Sequence, residues 1–403
     1  MASGSRPADR VSSRTQLVLL LGALSAFGPI SMDTYLPGLP QLADDVGASA
    51  AATQLTLTTC LIGLALGQVI AGPISDALGR RRPLLGGLAL FTLASLLCAA
   101  APDVWTLAAA RLVQGAAGAA GIVIGRAVVR DLHAGSELAR FLALVLIVNA
   151  VAPIAAPVVG GQLLHVTDWR GIFAVLAGIG VLLLIWTALT LRESLRPQLR
   201  HRGGLTATLS VFSRLLGDRR FLGYVLACGF VFAAMFAYIA GSPFVLQELY
   251  GISEQAFSLV FAVNAAGIML LSWIGGRIVE RVGPAAVFGS GLALQVVGAL
   301  ALLAVVAMGG GLAAVLVCLF CVVASIGLVF PTATALALAD HPDAAGSASG
   351  LLGVCQYLLG ALAAPLVGLG GENSALPLGI VIAACSLASV VSYRLLSVSR
   401  DTM

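Results

Sequence analysis

The sequence predicts an all-α membrane protein in which twelve transmembrane helices form two pseudo-symmetric bundles of six. Three observations favour this fold class. Of the 403 residues, 59% are hydrophobic and only 10% are charged, whereas a soluble protein of this length carries about 25% charged residues. Apolar stretches of about 20 residues, the length that crosses a bilayer, recur twelve times. A loop pattern that follows the second stretch recurs after the eighth.

The apolar stretches divide the chain into two halves of similar length. The predicted spans cover residues 15–37, 52–74, 83–101, 105–129, 141–164, 171–191, 221–246, 256–276, 285–308, 312–336, 346–368 and 376–396. The predicted domains are an N-terminal tail, a first bundle, a central linker, a second bundle and a C-terminal tail, over residues 1–14, 15–191, 192–220, 221–396 and 397–403. The first stretch is long enough to be a span rather than a cleavable signal.

The distribution of arginine predicts the orientation of the helices. Every one of the 22 basic residues is arginine. If the N-terminus is cytoplasmic, nineteen of them lie on the cytoplasmic side, Arg170 lies in an outer loop, and Arg111 and Arg126 lie within a span. Because clustered positive charge is retained in the cytoplasm, we expect both termini to be cytoplasmic. The net charge of +4 then reflects membrane topology and does not indicate nucleic-acid binding.

The composition excludes several classes of chemistry. Without lysine, the chain lacks a standard phosphate-binding loop and a Schiff-base lysine. The seven cysteines lie in apolar segments and the four histidines in loops. Cys318 and Cys321 have the spacing of a metal or redox pair, but no second pair of ligands accompanies them. The sequence therefore predicts no metal, no cofactor and no ATP-driven step. It also lacks the clustered acids, histidines or nucleophile–base pair that a membrane-embedded enzyme needs at span depth.

A glycine-rich loop with one acid and three arginines lies between the second and third spans. Its motif residues are Gly72, Asp76, Gly79 and Arg80, and the glycines allow two helices to meet at a tight hairpin. The same spacing, Gly-x-x-x-acid-x-x-Gly, recurs over residues 276–283 in the second half. Such repeats are expected where two bundles share one fold and bind substrate at their interface.

One carboxylate, Asp33, is predicted to lie at membrane depth. It follows Arg14 by 19 residues, which is about 28 Å of helix, and it lies close to Tyr35 in the outer half of the first span. Because an ionisable side chain at this depth is costly unless it is paired or hydrated, we expect Asp33 to exchange protons or to contact substrate. The alternative is an acid at the helix end, solvated from outside, since Pro37 follows closely.

Two arginines lie within the fourth span. Arg111, followed by Gln114, either extends to the outer interface or lines a cavity where its field acts on Asp33. Arg126 lies near the cytoplasmic end of the same helix. We expect Arg126 to brace an inner gate by pairing with the loop acid or with Asp131, rather than to contact substrate.

The fifth span combines Asn149 with two prolines, Pro153 and Pro157, and two glycines, Gly160 and Gly161. Prolines four residues apart bend a helix, and small residues let a neighbouring helix pack against the bend. Further polar residues lie at span depth, but the sequence does not show which helix faces meet and therefore does not rank them. They are Gln68, Tyr35, Tyr238, Asn264, Gln295, Gln356 and Tyr357.

Taken together, these motifs resemble the Bcr/CflA family of drug:proton antiporters with twelve spans, a branch of the major facilitator superfamily that exports bicyclomycin and phenicols. The resemblance is dense over residues 15–195 and weaker afterwards. The matching segments are Met32-Asp33-x-Tyr35-Leu36-Pro37, Gln54-Leu-Thr56-Leu-Thr58, Gly67-Gln68-x-x-x-Gly72-Pro73-x-Ser75-Asp76, Arg111-x-x-Gln114-Gly115, Arg126-Ala-Val-Val-Arg130-Asp131, the proline pair of the fifth span and Asp168-Trp169-Arg170.

The resemblance implies a role for each motif. Asp33 would be the acid whose protonation is coupled to drug release, and Arg111 would be the motif arginine of the fourth helix. The glycine-rich loop would supply the charges of the inner gate, Asp76 with Arg80. The fifth span would carry the antiporter motif, although Ala156 stands where the superfamily has glycine.

The resemblance also implies the partners of the chain: a small-molecule drug, protons and the lipid bilayer, with no cofactor and no nucleic acid. It implies a monomer in the inner membrane of a bacterium. With one acid and two arginines at span depth, the cavity lacks an evident anionic trap for dications, which favours neutral drugs such as phenicols or bicyclomycin-like compounds. The alternative is a proton-coupled exporter or importer of a metabolite, such as an amino acid, on the same scaffold.

Overall fold

A computed structural model describes residues 14–132, 155–200, 204–341, 344–368 and 374–398, and this part of the chain is almost entirely helical. The α-helices are α1 (Arg14–Asp33), α2 (Leu39–Val46), α3 (Ala50–Leu78), α4 (Arg81–Ala99), α5 (Val104–Leu132), α6 (155–163), α7 (Trp169–Thr190), α8 (Gly204–Leu216), α9 (Arg219–Pro243), α10 (Glu254–Val282), α11 (Pro284–Ala307), α12 (Leu312–Ala324), α13 (Ile326–Ala339), α14 (Ala345–Gly368) and α15 (Leu376–Tyr393).

Ten helical segments of the described residues are long and apolar enough to cross a membrane. They include α9 with its π-helical continuation to Leu249, and α12 joined to α13. The stretch from Gln16 to Val46 makes an eleventh if its two helical pieces, Gln16–Gly28 and Ile30–Val46, are counted as one span bent by 44°. The predicted fifth span lies mostly outside the described residues, which resume at residue 155. The prediction of an all-helical membrane protein is confirmed.

The helices pack as two groups. In the first half, α5 packs against α1, α3 and α4, while in the second half α9 packs against α13, α14 and α15. The halves meet mainly where α3 lies against α14. The linker helix α8 lies beneath this contact and buries Phe212 and Leu215 against it. We call the end of the molecule that carries the start of α3 and the start of α10 the outer end, because the arginine distribution predicts that it faces outside.

The second membrane-spanning helix of each half, α3 and α10, begins and ends in the same way. Ser49 caps α3 by accepting a hydrogen bond from the amide of Ala52 at 3.3 Å, and Ser253 caps α10 in the same geometry at 3.2 Å. Gly79 ends α3 with φ of 91°, and Gly283 ends α10 with φ of 83°. A positive φ favours glycine, so the spacing that recurs in the sequence corresponds to the same turn in both halves.

Glycine allows α3 and α5 to touch backbone to backbone. A Cβ atom on Gly115 of α5 would overlap the carbonyl of Cys60, and one on Gly63 of α3 would overlap the carbonyl of Leu112. The second half repeats the arrangement, since a Cβ atom on Gly327 of α13 would overlap the carbonyl of Ile268 on α10. Small residues provide close packing where lipid removes the hydrophobic drive for helices to associate.

We expect Gly115→Ala to destabilise the first half by about 1 to 3 kcal/mol, because the added methyl group must push α3 away from α5. The measurement is the thermal unfolding temperature of the purified chain in detergent. Gly86→Ala is the matched control, since a Cβ atom there meets nothing within 4 Å. Equal unfolding temperatures for the two variants would contradict the close approach.

Four hydrogen bonds between described residues join the halves, and all four lie toward the outer end. Each runs from a neutral side chain to a backbone carbonyl of the opposite half. The pairs are Gln54 Nε2 to Ala240 O at 3.0 Å, Thr58 Oγ1 to Ala361 O at 3.3 Å, Gln247 Nε2 to Pro37 O at 3.2 Å and Gln255 Nε2 to Gly161 O at 3.4 Å. We call the bonds of Gln54 and Thr58 the outer latch.

Local breaks in the helical hydrogen bonding make the acceptors of the outer latch available. A helical carbonyl normally accepts from the amide four residues later. The residue four positions after Ala361 is Pro365, which has no amide hydrogen. Next to Pro243, the amide of Phe244 bonds to Gly241 rather than to Ala240. Side chains of the opposite half therefore satisfy carbonyls that the helices leave open.

We expect the double variant Gln54→Leu, Thr58→Val to loosen the outer end by removing two hydrogen bonds, each contributing about 1 kcal/mol. The measurement is the distance distribution between spin labels on Asp44→Cys and Met308→Cys, with the native cysteines replaced. Longer distances are expected. Thr59→Val is the control, because Thr59 bonds only to Thr56 of its own helix. An unchanged distribution would show that the latch does not hold the halves together.

Candidate functional site

A cavity of about 190 Å³ lies between the two halves. Its wall is mostly apolar and aromatic, as expected for a site that takes small organic molecules. Its described lining residues are Met32, Asp33, Leu64, Phe232, Met235, Phe236, Tyr238, Ile239, Phe261, Asn264, Ala265, Ile268, Val323 and Tyr357. The polar groups among them are one carboxylate, one amide and two phenols.

Asp33 lies where α1 ends at the cavity wall. The chain leaves the helix after Asp33 and enters a short 3₁₀ turn, Leu36–Gly38, that contains Pro37. The Asp33 side chain is 7% exposed, and it has no ion pair within 4.0 Å among the described arginines. An unpaired carboxylate at an apolar wall is costly in its charged form. It is therefore suited to bind a proton, and a solvated acid at the helix end is the wrong interpretation.

Arg111 is fully buried behind the cavity wall rather than in it. Its Nη1 donates to the carbonyl of Ser31 at 3.1 Å and to Gln114 Oε1 at 2.6 Å. The guanidinium lies over the rings of Tyr35 and Phe173, at 4.5 and 5.5 Å from their centroids. The interface position considered for Arg111 is therefore wrong, because aromatic faces cover the cation. Arg111 does not line the described cavity wall either, but its charge lies close enough to act on Asp33, as expected.

The polar cluster around Arg111 fixes the turn that carries Asp33. Gln114 donates to Ser95 Oγ at 2.7 Å, and the hydroxyls of Tyr35 and Thr56 are hydrogen-bonded at 3.0 Å. The Nε and Nη2 atoms of Arg111 have no hydrogen-bond partner in the described part of the chain. A buried positive charge is thus bonded to the backbone two residues before Asp33, and it acts on the acid without forming an ion pair with it.

The inner end of the first half is held by Arg80. Its Nη1 donates to Asp76 and to Ser75 Oγ, and its Nε donates to Asp131 at 2.9 Å. Partial burial lowers the pKa of the Arg80 guanidinium, but the hydrogen bonds and charges of Asp131 and Asp76 outweigh burial and raise that pKa overall. The residues of the glycine-rich loop therefore join α3, α4 and α5 as one charged unit.

Arg126 does not make the ion pairs expected of it. Among the described residues, the ion pairs of Asp76 and Asp131 are to Arg80. The Arg126 side chain is exposed on α5. The physical reason is reach, because Arg80 starts from the hairpin directly between the two acids whereas Arg126 lies more than one helical turn from Asp131.

Glu193 is a member of this network that the sequence did not indicate. Its carboxylate accepts from the backbone amides of Arg80 at 2.7 Å and Arg81 at 3.3 Å. A Cβ atom on Gly79 would collide with this carboxylate, so the glycine is required for contact as well as for its positive φ. The only available signal was an acid at the end of the sixth span, more than a hundred residues away.

The antiporter motif is described in part. Asn149 and Pro153 lie outside the described residues. Pro157 is buried in α6. Gly160 packs against the carbonyl of Thr34, the residue after Asp33, and Gly161 packs against Ser258 of α10 in the opposite half. The end of this motif therefore contacts both the turn that holds the acid and the facing bundle.

The structure distinguishes the remaining polar residues. Asn264 and Tyr238 line the cavity together, and Asn264 Nδ2 donates to Tyr238 Oη at 2.9 Å. Tyr357 lines the same cavity. Gln356 instead donates to Cys228 Sγ at 3.0 Å, and the amide of Gln295 is buried without a partner in the described residues. The described residues contain no cluster of histidine, cysteine, aspartate or glutamate suited to a metal ion.

Proteins with similar sequences include an MFS-type transporter and drug-resistance proteins. An uncharacterized MFS-type transporter, YdgK of Bacillus subtilis, is 42% identical over 371 residues, which cover 92% of each chain. A bicyclomycin resistance protein homolog of Haemophilus influenzae is 30% identical over 94% of this chain and 96% of its own. A chloramphenicol resistance protein of Pseudomonas aeruginosa is 31% identical over 71% of this chain and 67% of its own.

Solved structures share the fold. A bacterial homologue of the human lysosomal transporter Spinster, in an inward-facing and occupied conformation, has a TM-score of 0.74 at 16% identity and covers 99% of this chain and 98% of its own. A mutant of the nucleoside transporter NupG has a TM-score of 0.75 at 14% identity, covering 95% and 100%. The family model of the Major Facilitator Superfamily matches residues 9–365. The chain, with its twelve-helix fold, belongs to the major facilitator superfamily.

Proposed function

We propose that this protein exports small uncharged drugs in exchange for protons. The observation that carries the proposal is the position of Asp33, a carboxylate with no ion pair among the described residues, in the wall of a mostly apolar cavity between the halves. The names of two relatives support the substrate class, since they are a bicyclomycin resistance protein homolog and a chloramphenicol resistance protein.

The cavity geometry supports competition between proton and drug. When Asp33 is charged, its carboxylate needs a hydrogen-bonding partner, because the surrounding wall is apolar. A drug in the cavity supplies that partner, whereas a proton removes the need for it. Protonation therefore favours drug release, and drug binding favours proton release. Each ligand moves the halves only to the extent that it binds the outward-facing and inward-facing states with different affinity.

One proton supplies enough energy for useful export. A proton that moves down a driving force of about 150 mV releases about 3.5 kcal/mol. This free energy supports a drug gradient on the order of a few hundred-fold. The chain would work as a monomer in the inner membrane of a bacterium, with both termini in the cytoplasm. Its strongly one-sided arginine distribution supports this orientation.

The proposal is tested by drug uptake into everted membrane vesicles that contain the wild-type chain. Because everted vesicles reverse the membrane, an exporter accumulates drug inside them. We expect accumulation of radiolabelled chloramphenicol when a proton gradient is imposed and none when a protonophore dissipates it. Uptake of quaternary cations only, or no uptake of any neutral drug, would overturn the proposal. The second result would favour a transported metabolite.

A further inference from the structure

The cavity wall is shared unequally by the two halves. Of its described lining residues, three come from the first half, Met32, Asp33 and Leu64, and eleven come from the second half. The only carboxylate of the described wall belongs to the first half, whereas the amide and both phenols belong to the second. The group proposed to bind the proton and the groups that can hydrogen-bond a substrate therefore lie on opposite walls of the cavity.

The second-half wall carries two groups of packed aromatic rings. The rings of Tyr238 and Phe261 are stacked with centroids 5.7 Å apart. Phe232 lies 4.7 Å from Phe236 and 5.5 Å, edge to face, from Tyr357. Aromatic faces bind flat rings by offset stacking and edge contacts. This wall therefore favours a substrate with a planar unsaturated group.

A single amide interrupts the aromatic wall. Asn264 is 3% exposed, and its Nδ2 donates to Tyr238 Oη. Its Oδ1 has no hydrogen-bond partner in the described residues. Unlike the amide atoms of Gln295, which are fully buried, Oδ1 remains accessible. An amide placed in an apolar wall is costly unless its hydrogen bonds are made. Oδ1 therefore offers an open acceptor to whatever occupies the cavity.

We propose that the Asn264–Tyr238 pair is the substrate-recognition site of the cavity, and that it selects uncharged planar compounds that carry an N–H or O–H donor. Asn264 Oδ1 accepts the hydrogen bond of the substrate, while Tyr238 holds the amide in place. This inference rests on the proposed function and adds a specificity-determining residue to it. It also assigns the two ligands to different residues, because Asp33 binds the proton and Asn264 recognises the substrate.

The pair is tested by equilibrium binding of radiolabelled chloramphenicol to the purified full chain. Chloramphenicol has an aromatic ring, an amide N–H and two hydroxyls. We expect Asn264→Leu to weaken binding about tenfold, the cost of one unmade hydrogen bond in a buried site. Tyr238→Phe keeps the ring that stacks on Phe261 and should weaken binding a few-fold, because the amide loses its anchor.

Gln295→Leu is the matched control. Like Asn264→Leu, it replaces a buried amide of the second half by leucine, but Gln295 does not line the cavity. We expect unchanged binding in this variant. Thermal unfolding temperatures of all variants identify any that fold poorly, and Tyr238→Phe keeps the test valid if Asn264→Leu is one of them.

The outcomes separate the two proposals. If Asn264→Leu and Tyr238→Phe both bind as the wild type does, or if Gln295→Leu loses as much affinity, the recognition site is wrong and the proposed export function stands. If the wild type binds no chloramphenicol, the proposed neutral substrate and the recognition site are both overturned. We expect Asn264→Leu to lose drug affinity but still to show proton-driven uptake when the drug concentration is raised about tenfold.

Discussion

Replacing Asp33 by asparagine is expected to abolish proton-driven drug accumulation in everted vesicles while leaving drug binding within a few-fold of the wild type. Asparagine retains the size and a hydrogen-bonding oxygen of the acid but carries no exchangeable charge. Because the carboxylate is 7% exposed and lies at an apolar wall, its charged form is the one that the drug must compensate. Without the charged form of Asp33, no interaction free energy couples drug binding to proton binding.

The measurement has two parts. Vesicle uptake reports coupling, and a pH indicator in weakly buffered detergent solution reports the proton that the drug displaces. Wild type should release protons when chloramphenicol is added, and Asp33→Asn should release none. Asp44→Asn is the control, because Asp44 is an exposed acid of α2 at the outer end. Undiminished proton release from Asp33→Asn would place the coupling at another group.

Replacing Arg80 by methionine is expected to have the second large effect. Methionine keeps most of the length but leaves Asp76 and Asp131 without their cation. Breaking a fully buried pair costs about 3 to 5 kcal/mol. We expect about 2 to 3 kcal/mol here, because the Asp76 side chain is 49% exposed and partly hydrated. The thermal unfolding temperature should fall, and uptake should fall with it, because the inner ends of α3, α4 and α5 would no longer move together.

Arg80→Lys separates charge from geometry. Arginine uses Nη1 for Asp76 and Nε for Asp131, whereas an ammonium group is a compact charge that cannot reproduce this fork. An intermediate unfolding temperature is expected. Arg82→Met is the control, since Arg82 is an exposed arginine of the same hairpin. If Arg82→Met and Arg80→Met have equal effects, hairpin charge matters in general and the specific network does not.

The sequence predicted the fold because membrane spans follow from hydrophobic length and charge placement. Both signals are local, so the observed helices overlap the predicted spans closely even in the second half, where few motifs match. The domain boundaries at residues 191 and 221 stay a prediction. Asp33 was found for the same reason, since one carboxylate in a long apolar run is conspicuous without knowledge of any neighbour.

The sequence failed where the outcome depends on which helix faces meet. Arg111 was expected to extend to the interface or to line the cavity, but Phe173 of α7 and Tyr35 cover it, and neither contact can be read from the fourth span. Glu193 was missed because its partners are 113 and 112 residues away. Asn264 could not be distinguished from Gln295, although one faces the cavity and the other does not.

The two inner hairpins share one turn but not one set of restraints. Gly79 and Gly283 have nearly the same positive φ. Among the described residues, however, only the first hairpin has a buried arginine between two acids and a glutamate that accepts from its amides. Around Gly283, a Cβ atom would meet nothing within 4 Å. Backbone amides at the first hairpin should therefore exchange with deuterium far more slowly than those at the second. In structural terms, we expect the two halves to have one stiff and one compliant inner corner.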